Sequence, residues 1–134
     1  MRKIALGALV VALLAGCGSD LDERYAGLDC IDVPAVVQES LAGGSNEWTM
    51  TPLGAAAVNS PDFTGDAYFV AMRYEVDGEQ NVGVWLATNL DGEGPYLAVD
   101  GFAKQFTDWP DADKGQFDVS PADPAGKRAR NCLG

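Results

Sequence analysis

The chain has 134 residues, 20 of them acidic and nine basic, for a net charge of −11, and it contains no histidine. This acidity argues against nucleic-acid binding, which rests on neutralising phosphates. The missing imidazole excludes Ser-His-Asp and Cys-His catalysis and histidine metal ligation, and the length suits one domain with one core.

The first element is a leader. Arg2 and Lys3 precede an uncharged apolar run from Ile4 to Leu14. The run is too short to span a bilayer, which takes about 20 apolar residues. A charged start, a short apolar core and small residues at the end make a secretory signal peptide. The closing stretch, Leu14-Ala15-Gly16-Cys17, resembles the lipobox of bacterial lipoproteins. That resemblance implies cleavage between Gly16 and Cys17, removal of residues 1–16, and a diacylglyceryl group on the Cys17 thiol. Two acyl chains anchor stably where one binds only marginally. The competing expectation is an ordinary signal peptide cut near Ala15, with Cys17 a plain thiol.

Removal of Arg2 and Lys3 leaves seven basic against 20 acidic residues, a charge of −13 on 118 residues. An anionic lipid surface attracts basic segments, so the lipid would hold a body that the surface repels. Cys30 and Cys132 then remain. An even pair in an oxidising compartment reads as a disulfide, here joining the two ends of the domain. Residues 17–29 are expected to form the Cys17 that the resemblance implies is lipidated and a short polar tether, of which 18–29 spans ~20 Å as a flexible coil. Residues 30–134 form the single domain.

A first helix is expected over 32–43, with Asp32 as cap, Pro34 in the first turn and Val33, Val36, Val37 and Leu41 as the apolar stripe. In 45–60, Trp48 and Met50 alternate with Thr49 and Thr51 until Pro52 interrupts, so two short, edge-like strand pieces are expected. Residues 67–89 hold the clearest pattern. Two runs of period two, rich in β-formers, flank Asp77-Gly78-Glu79-Gln80-Asn81 and make a hairpin. A loop over 77–81 pairs Val76 with Val82, Tyr74 with Val84 and Met72 with Leu86, keeping apolar residues on one face. Tyr96 to Val99 adds a strand. Asp100 caps a short helix with Phe102, Ala103 and Phe106 inward, and Trp109-Pro110 stops it. Phe117 and Val119 suggest a short strand. Asp123-Pro124 opens a last helix, with Lys127, Arg128 and Arg130 where positive charge suits the dipole.

The hairpin ending in Trp-x-Ala-Thr-Asn (Trp85 to Asn89) and the helix ending in Asp-Trp (Asp108, Trp109) resemble small secreted actinobacterial lipoproteins of unassigned function. The resemblance implies no activity. The expected fold is α+β: an antiparallel meander of three to five strands, helices on one face, and ends joined by Cys30–Cys132.

Three groups are candidate sites. Trp85, Tyr96 and Trp109 are candidates for an aromatic binding surface, with core packing the competing role. Asp108, Asp111 and Asp113, with Gly115, offer oxygen ligands of the kind Ca²⁺ takes. The EF-hand spacing is not met, because Gly115 comes one residue early and Ala122 at position twelve is no ligand, so a solvated acidic loop is expected. Asp91 and Glu93, with Asp77 and Glu79, are candidates for paired acids. That chemistry needs two carboxyls ~5–9 Å apart across a cleft, whereas acids beside Gly ordinarily form turns. No cofactor is expected. The function expected is a non-enzymatic envelope module that binds a protein partner or small ligand, held on the outer face of the cell membrane by Cys17. The alternatives are a small carboxylate-dependent envelope hydrolase and an inhibitory module for a neighbouring protein.

Overall fold

A computed structural model describes residues 23–114 and 117–134. The expected signal peptide, the Gly16–Cys17 cleavage site, residues 18–22 of the tether and Gly115 lie outside the described residues. The elements in order are α1 (Glu23–Ala26), β1 (Ile31–Asp32), α2 (Ala35–Gly43), β2 (Thr51–Asn59), β3 (Tyr68–Val76), β4 (Glu79–Ala87), β5 (Tyr96–Ala98), α3 (Gly101–Phe106) and α4 (Pro124–Asn131). The five strands form one antiparallel sheet in chain order, β1-β2-β3-β4-β5. The fold is therefore α+β, and the Cys30–Cys132 disulfide joins its ends.

The hairpin register differs from the expected one. Asp77 and Gly78 alone make the turn, with φ of 51° and 82°, the double positive φ of a type I′ turn. Val76 pairs with Glu79, Tyr74 with Asn81, Met72 with Gly83 and Val70 with Trp85. The two registers differ by three residues. An odd shift exchanges the faces of β4, so Trp85, not Val84, lies on the face of Val70, Met72 and Tyr74. A loop over 77–81 suits a sheet with only one apolar face. In fact both faces are packed. Val70, Met72, Tyr74, Val76 and Trp85 belong to one buried cluster, and Phe69, Ala71, Val84 and Leu86 to another. Gly83 is not wasted in this pairing, because the Trp85 ring covers it: a Cβ at Gly83 would stand 2.7 Å from that ring.

Packed faces need covers on both sides, which corrects the expectation of helices on one face. Val37 and Leu41 of α2 and Ala103 and Phe106 of α3 complete the first cluster. Ala125 and Ala129 of α4 complete the second. Tyr25 of α1 is buried there too, its hydroxyl donating to Asp62 at 2.9 Å. The packed body thus includes α1, within the stretch expected to be tether.

Local differences have local causes. Helix α2 starts at Ala35: Val33, before a proline, avoids helical backbone, and Pro34 stands at the cap with an extended ψ of 151° in place of the expected first turn. Asp32 pairs with Ala56 in β1 instead of capping, and Val36 is left exposed. Residues 51–59 form one strand where two pieces were expected. A register irregularity between Pro52 and Gly54 absorbs the proline. Strand β1 pairs only with Ala56 and Ala57, so Pro52 lies where no outer strand needs its missing N–H. In α3, Ala103 and Phe106 are three apart and take the inward face. Phe102, about 100° round the helix, is 44% exposed. Phe117 to Val119 is not a strand; Val119 is buried and its N–H donates to Ala112 O at 2.9 Å.

Two stability outcomes follow from these contacts. The disulfide closes a separation of 102 residues with a Cα–Cα distance of 5.7 Å. On the chain-entropy argument, replacing Cys30 and Cys132 together by Ser lowers stability by about 4–5 kcal/mol in urea unfolding. Gly83→Ala pushes against a ring that is 0% exposed and costs about 1–3 kcal/mol in the same assay. A neutral Gly83→Ala result would contradict the position of Trp85.

Candidate functional site

The aromatic candidates are packing residues. Trp85 and Tyr96 are each 0% exposed. The Trp85 indole N–H donates to Thr107 Oγ1 at 3.2 Å, and its ring meets Tyr74 edge-on at 6.2 Å. Tyr96 meets Trp109 edge-on at 5.0 Å. Trp109 is half-buried and donates from Nε1 to Leu41 O at 3.1 Å, pinning the loop after α3 to the end of α2. The expected aromatic surface is therefore corrected: the sheet face carrying Trp85 is covered by α2 and α3.

The acidic candidates do not converge either. Lys104 donates to Asp113 at 3.0 Å, and Lys114 forms an ion pair with Asp111 at 3.3 Å. The Lys104 hydrogen bond holds the Asp113 carboxyl below its usual range. Asp108 is exposed, and its backbone N–H donates to Gly44 O. Among the described residues no group of three Asp, Glu, His or Cys side chains is placed to hold a metal. Asp77 and Glu79 lie at one end of β4, and Asp91 and Glu93 follow the other. A nine-residue strand separates the pairs by roughly 27 Å, far beyond paired-acid range. Asp91 serves its own turn, accepting from Glu93 N at 2.9 Å.

The side chain that gathers others around it is Asp100. Strand β5 ends at Ala98, and Val99 continues toward β4 with its N–H on Val84 O at 2.9 Å. This brings Asp100 under the neighbouring strand as it opens α3. One oxygen, Oδ1, accepts from Ala103 N at 2.9 Å and Val84 N at 3.2 Å. The other, Oδ2, accepts from Arg130 Nη1 at 3.1 Å. The same Nη1 also donates to Val82 O at 3.4 Å. One buried carboxylate therefore joins β4, α3 and α4.

Burial pushes the Asp100 carboxyl up, and the two backbone N–H groups and Arg130 act against that. On the other side, Tyr74 donates its hydroxyl to Phe102 O at 3.3 Å. Burial, then the nearby Asp100 charge, raises the Tyr74 phenol. Both Asp100 oxygens are engaged within the fold, Oδ1 by backbone N–H groups and Oδ2 by Arg130.

Two hollows flank this pair. One, of about 250 Å³, lies against α4 and is walled by Val84, Val99, Pro121 and Lys127. The other, of about 440 Å³, lies against α3 and is bounded by Gly101, Phe102 and Gln105. Asp100 and Arg130 border both. Further hollows of about 470 and 490 Å³ lie along the loop from Asn59 to Ala67 and expose Asp66, but no lysine or arginine lines them. In the sequence Asp100 reads as a cap, and Lys127 and Arg130 as dipole partners. The three-residue spacing that puts both cations on one helix side is legible. Their meeting with Asp100, 30 positions earlier, is not.

The raised carboxyl has a testable sign. An Asp held above its unfolded value favours folding when protonated. Its contribution is fully present below about pH 3.9 and is lost as pH rises through the folded value. The Asp100→Asn chain lacks this contribution. The stability of the unsubstituted chain relative to Asp100→Asn should therefore increase between about pH 7 and about pH 4, read by urea unfolding of both proteins. A difference that is flat or shrinks on acidification would contradict the burial of this carboxyl.

No protein-family profile matches the chain, and comparisons with curated proteins and with solved structures give no significant match; the functional reading rests on the residues of this chain.

Proposed function

We propose that this chain is a lipid-anchored protein of the cell envelope whose domain binds a partner or small ligand on the outer face of the cell membrane, without chemistry of its own. The observation that carries the proposal is the Leu14-Ala15-Gly16-Cys17 motif behind a charged and apolar leader. The Cys30–Cys132 disulfide supports it, since such bonds persist in oxidising compartments and this one uses both cysteines that remain beside Cys17. The six residues from Cys17 to the start of α1 reach at most about 22 Å. The folded body is thus kept close to the membrane while its acidity keeps it from lying flat on anionic lipid.

The test is mass spectrometry of the N-terminal peptide together with membrane fractionation. The mature chain should begin at Cys17, carry a diacylglyceryl mass and sediment with membranes. Cys17→Ser should lose the lipid mass and retain its leader. A mature N-terminus elsewhere, with an unmodified thiol at Cys17, would overturn the anchor.

A further inference from the structure

We infer that the hollow between α4 and the β4–β5 strands binds a small organic monoanion, a carboxylate bearing a short apolar group, through the free edge of Arg130 and the Lys127 ammonium. The inference gives a ligand class to the binding-module reading and rests on it.

Arg130 is oriented before any ligand arrives. Its Nη1 donates to Asp100 Oδ2 and to Val82 O. Among the described residues, its Nε and Nη2 make no hydrogen bond. Those two atoms form the side edge of the guanidinium plane, whose parallel N–H groups match the two oxygens of a carboxylate. The side chain is 44% exposed and lines the hollow. Lys127 sits three residues earlier on the same helix, which places the two cations as neighbours. It makes no ion pair among the described residues, whereas Lys104 and Lys114 are paired with acids.

Charge and size narrow the ligand. Arg130 and Lys127 against Asp100 leave one positive charge at the hollow, in a chain whose net charge is −11. That balance suits one negative charge. Val84, Val99 and Pro121 wall the rest, so the body of the ligand is apolar. A volume of about 250 Å³ falls below the ~300–1,000 Å³ of drug-sized sites, so the apolar group is short.

The experiment is a ¹H–¹⁵N titration of the full-length chain at constant ionic strength with butyrate, with its neutral isostere butyramide, and with inorganic phosphate. Butyrate should move the amide signals of Val99, Gly126 and Lys127 and the Nε–H signal of Arg130 along one saturable curve, and butyramide should leave them in place. Arg130→Lys keeps a positive charge beside Asp100 but loses the two-pronged edge. Its affinity for butyrate should fall by at least about tenfold, the value of a hydrogen bond to a charged group. Lys127→Gln, an exposed change that leaves Asp100 and Arg130 paired, should weaken butyrate in the same direction. Absence of a saturable shift, equal response to butyramide, or unchanged affinity in Arg130→Lys would each overturn the site. Tighter binding of phosphate than of butyrate would overturn the carboxylate class. The anchor is read separately by fractionation, so an unlipidated chain that binds butyrate and a lipidated chain that does not are distinct results.

Discussion

Two positive φ angles, at Asp77 and Gly78, constrain most of what surrounds them. They close the β3–β4 hairpin in two residues, and a hairpin turn sets its register. That register pairs Trp85 with Val70 and puts it beside Tyr74, on the face covered by α2 and α3. It puts Val84 and Leu86 on the opposite face, under α4. A register shifted by an odd number of residues would exchange these two sets, and neither helical layer would find the side chains it now covers. The small residues of α4, Ala125, Gly126 and Ala129, allow the helix to lie close to Phe69 and Val84.

The central strands are therefore buried on both faces, and polar groups between the layers need internal partners. Asp100 meets this requirement where β5 gives way to α3. Ionised burial is costly unless the charge is paired and hydrogen-bonded. Here two backbone N–H groups and Arg130 supply those bonds, and the carboxyl still rests above its usual range. The arrangement also bears on the ligand site inferred above. A guanidinium held by one nitrogen keeps a fixed plane and loses less freedom when the other edge is used. The same carboxylate that ties α4 to β4 and α3 thus prepares the free edge of Arg130 for a ligand.

The ends of the body are joined through α4 as well. Its Arg128 donates from Nε and Nη2 to Leu28 O, a contact across 100 positions, and Cys132 bonds to Cys30 just beyond. Tyr25 extends the same layer through Asp62. On the proposed function, this fastened end is also the end nearest the lipid, so the tether leaves a covalently closed face of the domain and not a loose strand.

The sequence by itself determined the features that depend on neighbours a few positions away. The caps at Asp100 and at Asp123-Pro124 follow from a side-chain oxygen meeting an N–H two or three residues on. The two long strands of the hairpin follow from period-two runs of β-formers. The terminal disulfide follows from a cysteine count. The Leu14-Ala15-Gly16-Cys17 stretch on which the proposed anchor rests is contiguous as well. Tertiary structure alone decided the rest. Parity along β3 and β4 identifies a core face only when the other face is polar, and here it is not, so nothing local chose between two registers. Trp85 and Tyr96, candidates for a surface in the sequence, are core for the same reason, and Trp109 packs half-buried against Tyr96. Asp100 and Arg130 are each unremarkable in their own segment. They become a site because the meander carries one to the edge of β4 and the disulfide-closed last helix returns the other to meet it, a contact between chain positions 30 apart that no local pattern encodes.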